Sequence, residues 1–268
     1  MWLKVLSKHL RLLARYWVIT FKEFSSFTWD VWLSVIQFVL YIGRSIVFWW
    51  AVSRIGVFSG WTLPELSFFA AISFLPGLHE LFWNFWNRAS FSDKVLRGDL
   101  DKYLARPVHP LFAIAAEDVH LAIFLKYFVP PLVMAICLVR GYHLPVTVGR
   151  FLVGYLLLST GKFVLTMMRA ASSMLAFKYG DVTGLQLLLF QFTALGRYPV
   201  DAFPSTLKFL LTYVLPAGFT ATFPAMVMLG KAAGLEVFGV AAALAFLWAF
   251  IVLRLWAVMV SSYESFGG

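Results

Sequence analysis

Residues 88–110 read RASFSDKVLRGDLDKYLARPVHP, the longest strongly polar island in a chain that is otherwise largely apolar. The island holds five basic residues (Arg88, Lys94, Arg97, Lys102, Arg106) and three aspartates (Asp93, Asp99, Asp101), and apolar runs press in on both sides. Two short helices can be read from it. Ser90 with Asp93 fits a capping box, in which a hydroxyl and a carboxylate satisfy free amide donors at a helix start. Gly98 allows a left-handed stop, and Asp99 is placed to cap a second turn through Leu100, Tyr103 and Leu104 before Pro107 ends it. Pattern alone leaves two readings open: a solvated loop between membrane helices, or a docking element for a soluble partner.

Composition identifies the solvent. Charged residues are 13% of the 268-residue chain and hydrophobic ones 61%, with a mean hydropathy of +0.82. Soluble domains carry about 25% charged residues, and a single globular core cannot hide this much apolar surface. The chain reads as an all-α polytopic membrane protein with spans of about 20 residues each. Its net charge of +9 does not point to nucleic acid, because ten of the 22 Lys and Arg lie in the first 25 residues and the island. That is the bias of cytoplasmic segments. Cys137, the only cysteine, can form no intrachain disulfide and reads as a small core hydrophobe.

Taken in order, residues 1–25 are interrupted by Lys8, His9, Arg11 and Arg15 and do not read as a cleaved leader. They read as a basic amphipathic helix at the membrane surface, with Lys4, Lys8, Arg11, Arg15 and Lys22 opposite Leu3, Leu10, Trp17 and Phe24. A first span is expected over Trp29–Ala51, with Trp29, Trp32, Trp49 and Trp50 as aromatic belts and Arg44 inside it. A second is expected from Pro64 to Trp83, kinked at Pro76-Gly77, with His79 and Glu80 near its end. A third follows over Leu121–Val139, bent at Pro130-Pro131. A fourth covers Thr147–Ala170 and contains Lys162, with Arg169 and Lys178 in the loop after it. A fifth is expected over Val182–Leu195. Residues 198–230 are apolar but broken by Pro199, Pro204, Pro216, Gly218 and Pro224, which suits two short re-entrant helices covered by protein or lining a wet cavity. The last span is Gly234–Val260. About six spans put both termini in the cytoplasm with the island.

Several chemistries are excluded. Gly161-Lys162 and Gly230-Lys231 lack the preceding glycine and following hydroxyl of a phosphate loop. HExxH, GxSxG and paired cysteines are missing, and the five histidines (His9, His79, His109, His120, His143) share no metal spacing. No catalytic residues and no metal site are therefore assigned. Two other functions stay open: a lipid-modifying enzyme using His79 and Glu80 or Glu117, Asp118 and His120, and an ion-coupled transporter using Arg44 and Lys162, for which no acidic residue stands clearly at matching depth.

The island's GDLDKYLARPVHPLF, Gly98 to Phe112, resembles the Gly-x-Leu-Asp-x-x-Leu-x-Arg-Pro signature of permease subunits of type-two ABC exporters, in particular a small six-helix bacterial subfamily. Tyr198-Pro199 through Pro216, Pro224 and Gly230 is similar to that family's segment before the last helix. The resemblance implies one permease domain over residues 1–268, in a bacterial plasma membrane. It implies two partners: cytoplasmic ABC ATPase subunits, on which ATP and Mg2+ are expected, and a second permease, identical or homologous. No cofactor is expected in this chain. The island becomes a coupling helix seated on the ATPase, with Val95, Leu96, Arg97, Gly98, Asp99, Leu100 and Tyr103 as its contact surface. The broken segment becomes an extracellular gate, with Tyr198, Pro199, Pro216 and Pro224. The aromatic load (28 Phe, 11 Trp, 10 Tyr) is compatible with a hydrophobic or amphipathic cargo, whose identity and contact residues the sequence does not give.

Overall fold

A computed structural model describes residues 11, 12, 14, 15, 17–19, 22, 28–55, 60–81, 91–117, 121–261 and 263. Every regular element among them is helical. In chain order these are α1 (Thr28–Ile55), α2 (Leu63–Ser73), α3 (Phe91–Leu96), α4 (Asp101–Leu104), α5 (Pro110–Glu117), α6 (Leu121–Tyr142), α7 (Val148–Met174), α8 (Ala176–Tyr179), α9 (Thr183–Ala194), α10 (Ser205–Phe209), α11 (Thr222–Met228) and α12 (Gly234–Val260). Single 3₁₀ or π turns fill several gaps, at Leu78–Leu81, Leu195–Arg197, Val200–Ala202, Leu210–Val214 and Ala217–Thr220. Two stretches, Val148–Tyr179 and Gly234–Val260, are long and apolar enough to cross a membrane, and Ile36–Val52 and Tyr127–Tyr142 are shorter apolar stretches. The described residues 11–22 are helical, and Trp17 Nε1 donates to Leu81 O at 2.9 Å. The rest of the amphipathic segment expected over residues 1–25, like the Ser90–Asp93 capping box, lies outside the described residues.

Helix α7 is the central element. Thr147, in extended conformation, starts it by accepting from the Arg150 N–H at 3.3 Å. More than half (56%) of its most apolar window is buried inside the chain, against 11% for α12. Its neighbours come close because of two glycines one heptad apart. A Cβ at Gly161 would lie 2.4 Å from Phe219 O, and one at Gly154 would lie 2.4 Å from Met228 Cγ and 3.0 Å from Pro224 O. Small residues of this kind let backbones approach closely where lipid supplies no hydrophobic drive between helices. Along another face Val164, Leu165 and Met168 pack against Leu244, Ala245 and Trp248 of α12.

The segment over residues 198–230 wraps this glycine-lined face. Tyr198 is extended, as the residue before a proline must be. The chain then turns at Val200–Ala202, runs through α10 and its π turn, and returns by α11. The Val200 N–H donates to Thr222 Oγ1 at 3.2 Å and ties the two arms together. At the N-terminal end of α2, Lys231 Nζ reaches Glu65 Oε2 at 2.7 Å and Gly60 O at 2.6 Å.

Five expectations need correction. The second span is not kinked at Pro76 but stops at Ser73. Pro76 has no N–H to give, and its ring excludes the carbonyl four residues back. The fifth span is a helix of 12 residues, about 18 Å long, short of a bilayer's roughly 30 Å core. Pro199 and the extended Tyr198 bar its continuation. Arg169 lies inside α7 rather than in the loop after it. Trp49 is no interface anchor, being 2% exposed and packed edge-on against Phe69 and Tyr198. Cys137 is exposed on α6 rather than buried.

Replacing Gly161 by alanine forces its methyl against the Phe219 backbone. The expected loss is about 1–3 kcal/mol, read as a lower midpoint of thermal unfolding in detergent. Gly149→Ala, where nothing stands within 4 Å of the new Cβ, is expected to leave the midpoint unchanged.

Candidate functional site: a polar stripe on one helix and the cavity beside it

Tyr155, Ser159, Lys162, Thr166, Arg169 and Ser173 recur on α7 at alternating spacings of four and three, which places them on one face. This stripe meets the broken end of α2. Tyr155 Oη donates to Pro76 O at 3.0 Å, and the Leu78 N–H donates to Ser159 Oγ at 3.1 Å. Lys162 Nζ donates to Ser73 O at 3.3 Å. Thr166 Oγ1 lies 3.0 Å from His79 Nε2. The hydroxyls of Ser159, Thr166 and Ser173 each donate to the carbonyl four residues back, at 2.8, 3.0 and 2.8 Å. Each oxygen therefore keeps a lone pair for a neighbour, and Ser173 uses its own to accept from Gln186 Nε2 of α9 at 3.0 Å.

The exchange of partners at the break is specific. Continuation of α2 would require the Gly77 N–H to bond Ser73 O. Instead Gly77 donates to Glu80 Oε1 at 2.9 Å, and Lys162 takes the carbonyl. Backbone groups freed in an apolar interior each cost about 1–3 kcal/mol if left unpaired, so the stripe is what makes the break tolerable.

Beside the stripe lies a cavity of about 430 Å³, lined by Ser73, Phe74, Pro76 and Glu80 from the break, Phe124 and Tyr127 from α6, Lys162, Leu165, Thr166 and Arg169 from α7, Phe190, Thr193 and Ala194 from α9, and Gly196, Arg197 and Thr220. Lys162 lies near the midpoint of α7, about 20 Å from either end at 1.5 Å per residue. The sequence reading had found Lys162 and missed its setting. Glu80 supplies the carboxylate at matching depth, because the broken α2 brings residue 80 back against α7. The signal was present in the four-three spacing of the stripe.

His79 and Glu80 do not act as a pair, since one meets Thr166 and the other Gly77. No group of three His, Cys, Asp or Glu among the described residues is placed to hold a metal. Asp118 and His120 lie outside the described residues. Arg44 is on the exposed side of α1, 4.4 Å from the Tyr41 ring centroid, and does not line the cavity. Tyr198 sits edge-on to Phe48 and Trp49 of α1, while Pro199, Pro216 and Pro224 are buried.

The polar island folds onto the other end of α7. Gly98 takes a left-handed φ of 73° between α3 and α4. Asp99 does not cap α4; the cap position falls on Leu100, and Asp99 pairs with Lys102 at 3.3 Å instead. Val95, Leu100 and Tyr103 were expected to face a partner. They are 2%, 0% and 0% exposed, and with Phe91 they pack on Met167, Ala170, Ala171 and Met174 of α7 and Val252 and Trp256 of α12. Their buried side chains are the island's attachment to its own chain. Leu96 and Arg97 are exposed, and Gly98 and Asp99 are half-buried.

Tyr103 fixes this attachment. Its hydroxyl donates to Glu117 Oε2 on α5 and accepts from Lys94 Nζ at 3.1 Å, while Lys94 stands 3.9 Å from Glu117. Lys94, Lys102 and Arg106 surround its ring at 5.0, 5.3 and 4.9 Å. Tyr103→Phe keeps the ring and removes the link between α3, α4 and α5. It is expected to cost about 1–3 kcal/mol and to speed amide exchange across residues 91–117, measured by hydrogen–deuterium exchange.

The profile of the family described as "ABC-2 family transporter protein" matches residues 25–267. Searches of curated proteins and of solved structures found no match. The family's pairing of membrane subunits with separate ATPases agrees with a sequence that has no phosphate loop and with helices whose exposed faces are apolar. The chain belongs to the ABC-2 transporter family, as a membrane-embedded permease subunit.

Proposed function

We propose that this chain is the membrane-spanning subunit of an ATP-driven exporter in a bacterial plasma membrane. Cytoplasmic ABC ATPase subunits carrying ATP and Mg2+ drive a pathway formed by this chain and a second permease, a copy or a homologue. In this reading both termini and the island are cytoplasmic, and residues 198–230 re-enter the outer leaflet as a gate built on Tyr198, Pro199, Pro216 and Pro224. The ATPase seat is the exposed side of the island, Leu96 and Arg97 with Gly98 and Asp99 at its edge. Val95, Leu100 and Tyr103 hold that side in place from within.

One observation carries the reading. The island and the cavity share α7: Met167, Ala170, Ala171 and Met174 seat the island, while Lys162, Leu165, Thr166 and Arg169 of the same helix line the cavity. A displacement of the island reaches the cavity through one rigid element. Glu80 beside Lys162 favours a second reading, transport driven by an ion gradient. Proteoliposomes containing this chain alone separate the two, because gradient-driven movement needs no ATPase.

Affinity purification of the full chain from its native membranes is expected to recover an ABC ATPase. Leu96→Asp with Arg97→Glu is expected to reduce that recovery by on the order of tenfold, with a melting midpoint within about 2 °C of the parent. Absence of any ATPase, or unchanged recovery by the double variant, contradicts the proposal.

A further inference from the structure

The mid-helix cavity has an unbalanced lining. Among the described residues, Lys162, Arg169 and Arg197 line it together with one carboxylate, Glu80. Glu80 Oε1 accepts from the Gly77 N–H at 2.9 Å and Lys162 Nζ donates to Ser73 O at 3.3 Å, so both also hold the broken turn, and one negative charge stands against three positive ones. Lys162 and Arg169 are one heptad apart, about 10 Å along the axis, and Arg197 comes from the turn after α9. Cations at this depth are expensive and mark a substrate path or a partner. A broken helix beside them is where transporters build substrate sites.

The rest of the wall is apolar and aromatic. Phe74 and Leu165 lie within, and Tyr127 and Phe190 stand at the rim, 47% and 40% exposed. At about 430 Å³ the cavity holds a charged head and the first part of a chain. Tyr127 of α6 and Phe190 of α9 therefore offer exposed aromatic surface against which a hydrocarbon tail can lie. Three cations exclude a cationic cargo, and the aromatic rim distinguishes the site from a pocket for a bare inorganic ion.

We propose that this cavity binds an amphipathic anion, its phosphate- or carboxylate-type head held by Lys162, Arg169 and Arg197 and its alkyl portion lying against Phe124, Tyr127 and Phe190. The proposal rests on the transport reading above and names the substrate class for it. Lys162 and Arg169, on the helix that seats the island, bind the head; Arg197, at the exposed edge, captures it.

The test is a binding titration on the purified full-length chain in neutral maltoside detergent, followed by native mass spectrometry. Three probes separate the sources of affinity: dodecyl phosphate, inorganic phosphate and dodecanol. One dodecyl phosphate per chain is expected, bound more tightly than either of the other two. Arg197→Gln and Lys162→Gln are each expected to weaken it about tenfold, the effect of losing one charge-assisted contact, while Arg197→Lys retains binding. Arg197 is exposed, so its variants report on the site even if Lys162→Gln disturbs the fold at Ser73. Equal binding of dodecanol and dodecyl phosphate overturns the proposal, as does unchanged binding by Arg197→Gln. Inorganic phosphate binding as tightly as dodecyl phosphate overturns the amphipathic part. Loss of this site with an ATPase still recovered leaves the transport reading intact. Specific binding without any ATPase supports the site and removes the ATP-driven reading.

Discussion

A backbone amide inside a bilayer has no water to turn to, and that constraint shapes this molecule. Pro76 prevents α2 from continuing past Ser73 and frees polar groups between Ser73 and Leu81. Tyr155, Ser159, Lys162 and Thr166 of α7 meet Pro76 O, Leu78 N, Ser73 O and His79. With about 1–3 kcal/mol at stake for each orphaned group, and a whole domain stable by only about 5–15 kcal/mol, the break and the stripe exist only together. The stripe fixes the rotation of α7. That rotation in turn decides which face is left for Gly154 and Gly161 to receive residues 217–228, and which for α12.

From this arrangement α7 becomes the common wall of three working parts. Its C-terminal end seats the polar island through Met167, Ala170, Ala171 and Met174. Its middle lines the cavity with Lys162 and Arg169. Its glycines receive the broken segment, which meets them at Phe219 and Pro224. Close packing makes such a helix a poor absorber of displacement and a good transmitter of it. The Tyr103 link to Glu117 and Lys94 makes the island one body with α5 rather than a loose loop.

Much of this was legible in the sequence, and the failures have physical causes. The composition gave the lipid solvent, the proline spacing the broken segment, and the wording of residues 98–112 the family. Gly98 was read as a left-handed stop and has a φ of 73°. The resemblance names Val95, Leu100 and Tyr103 as surface but does not tell that they are buried on α7 and α12, because a motif carries no account of what packs on it. Pro76 was read as a kink because local pattern cannot tell whether the freed carbonyls find donors that let the chain leave the helix. Those donors lie some 80 residues away on α7. Glu80 escaped for the same reason: its depth depends on the break. The stripe itself could have been found, since six polar residues at alternating spacings of four and three in an apolar helix rarely face lipid.

The central claim is that α7 carries the state of a cytoplasmic ATPase to the cavity. Thiol accessibility at the cavity wall tests it most directly, with Thr193→Cys in a Cys137→Ser background so that one thiol remains. The claim predicts a rate of modification by a water-soluble maleimide that differs several-fold between nucleotide-free and ATP-bound states of the complex, with no nucleotide effect on the chain purified alone. An equal rate in both states of the complex would contradict it.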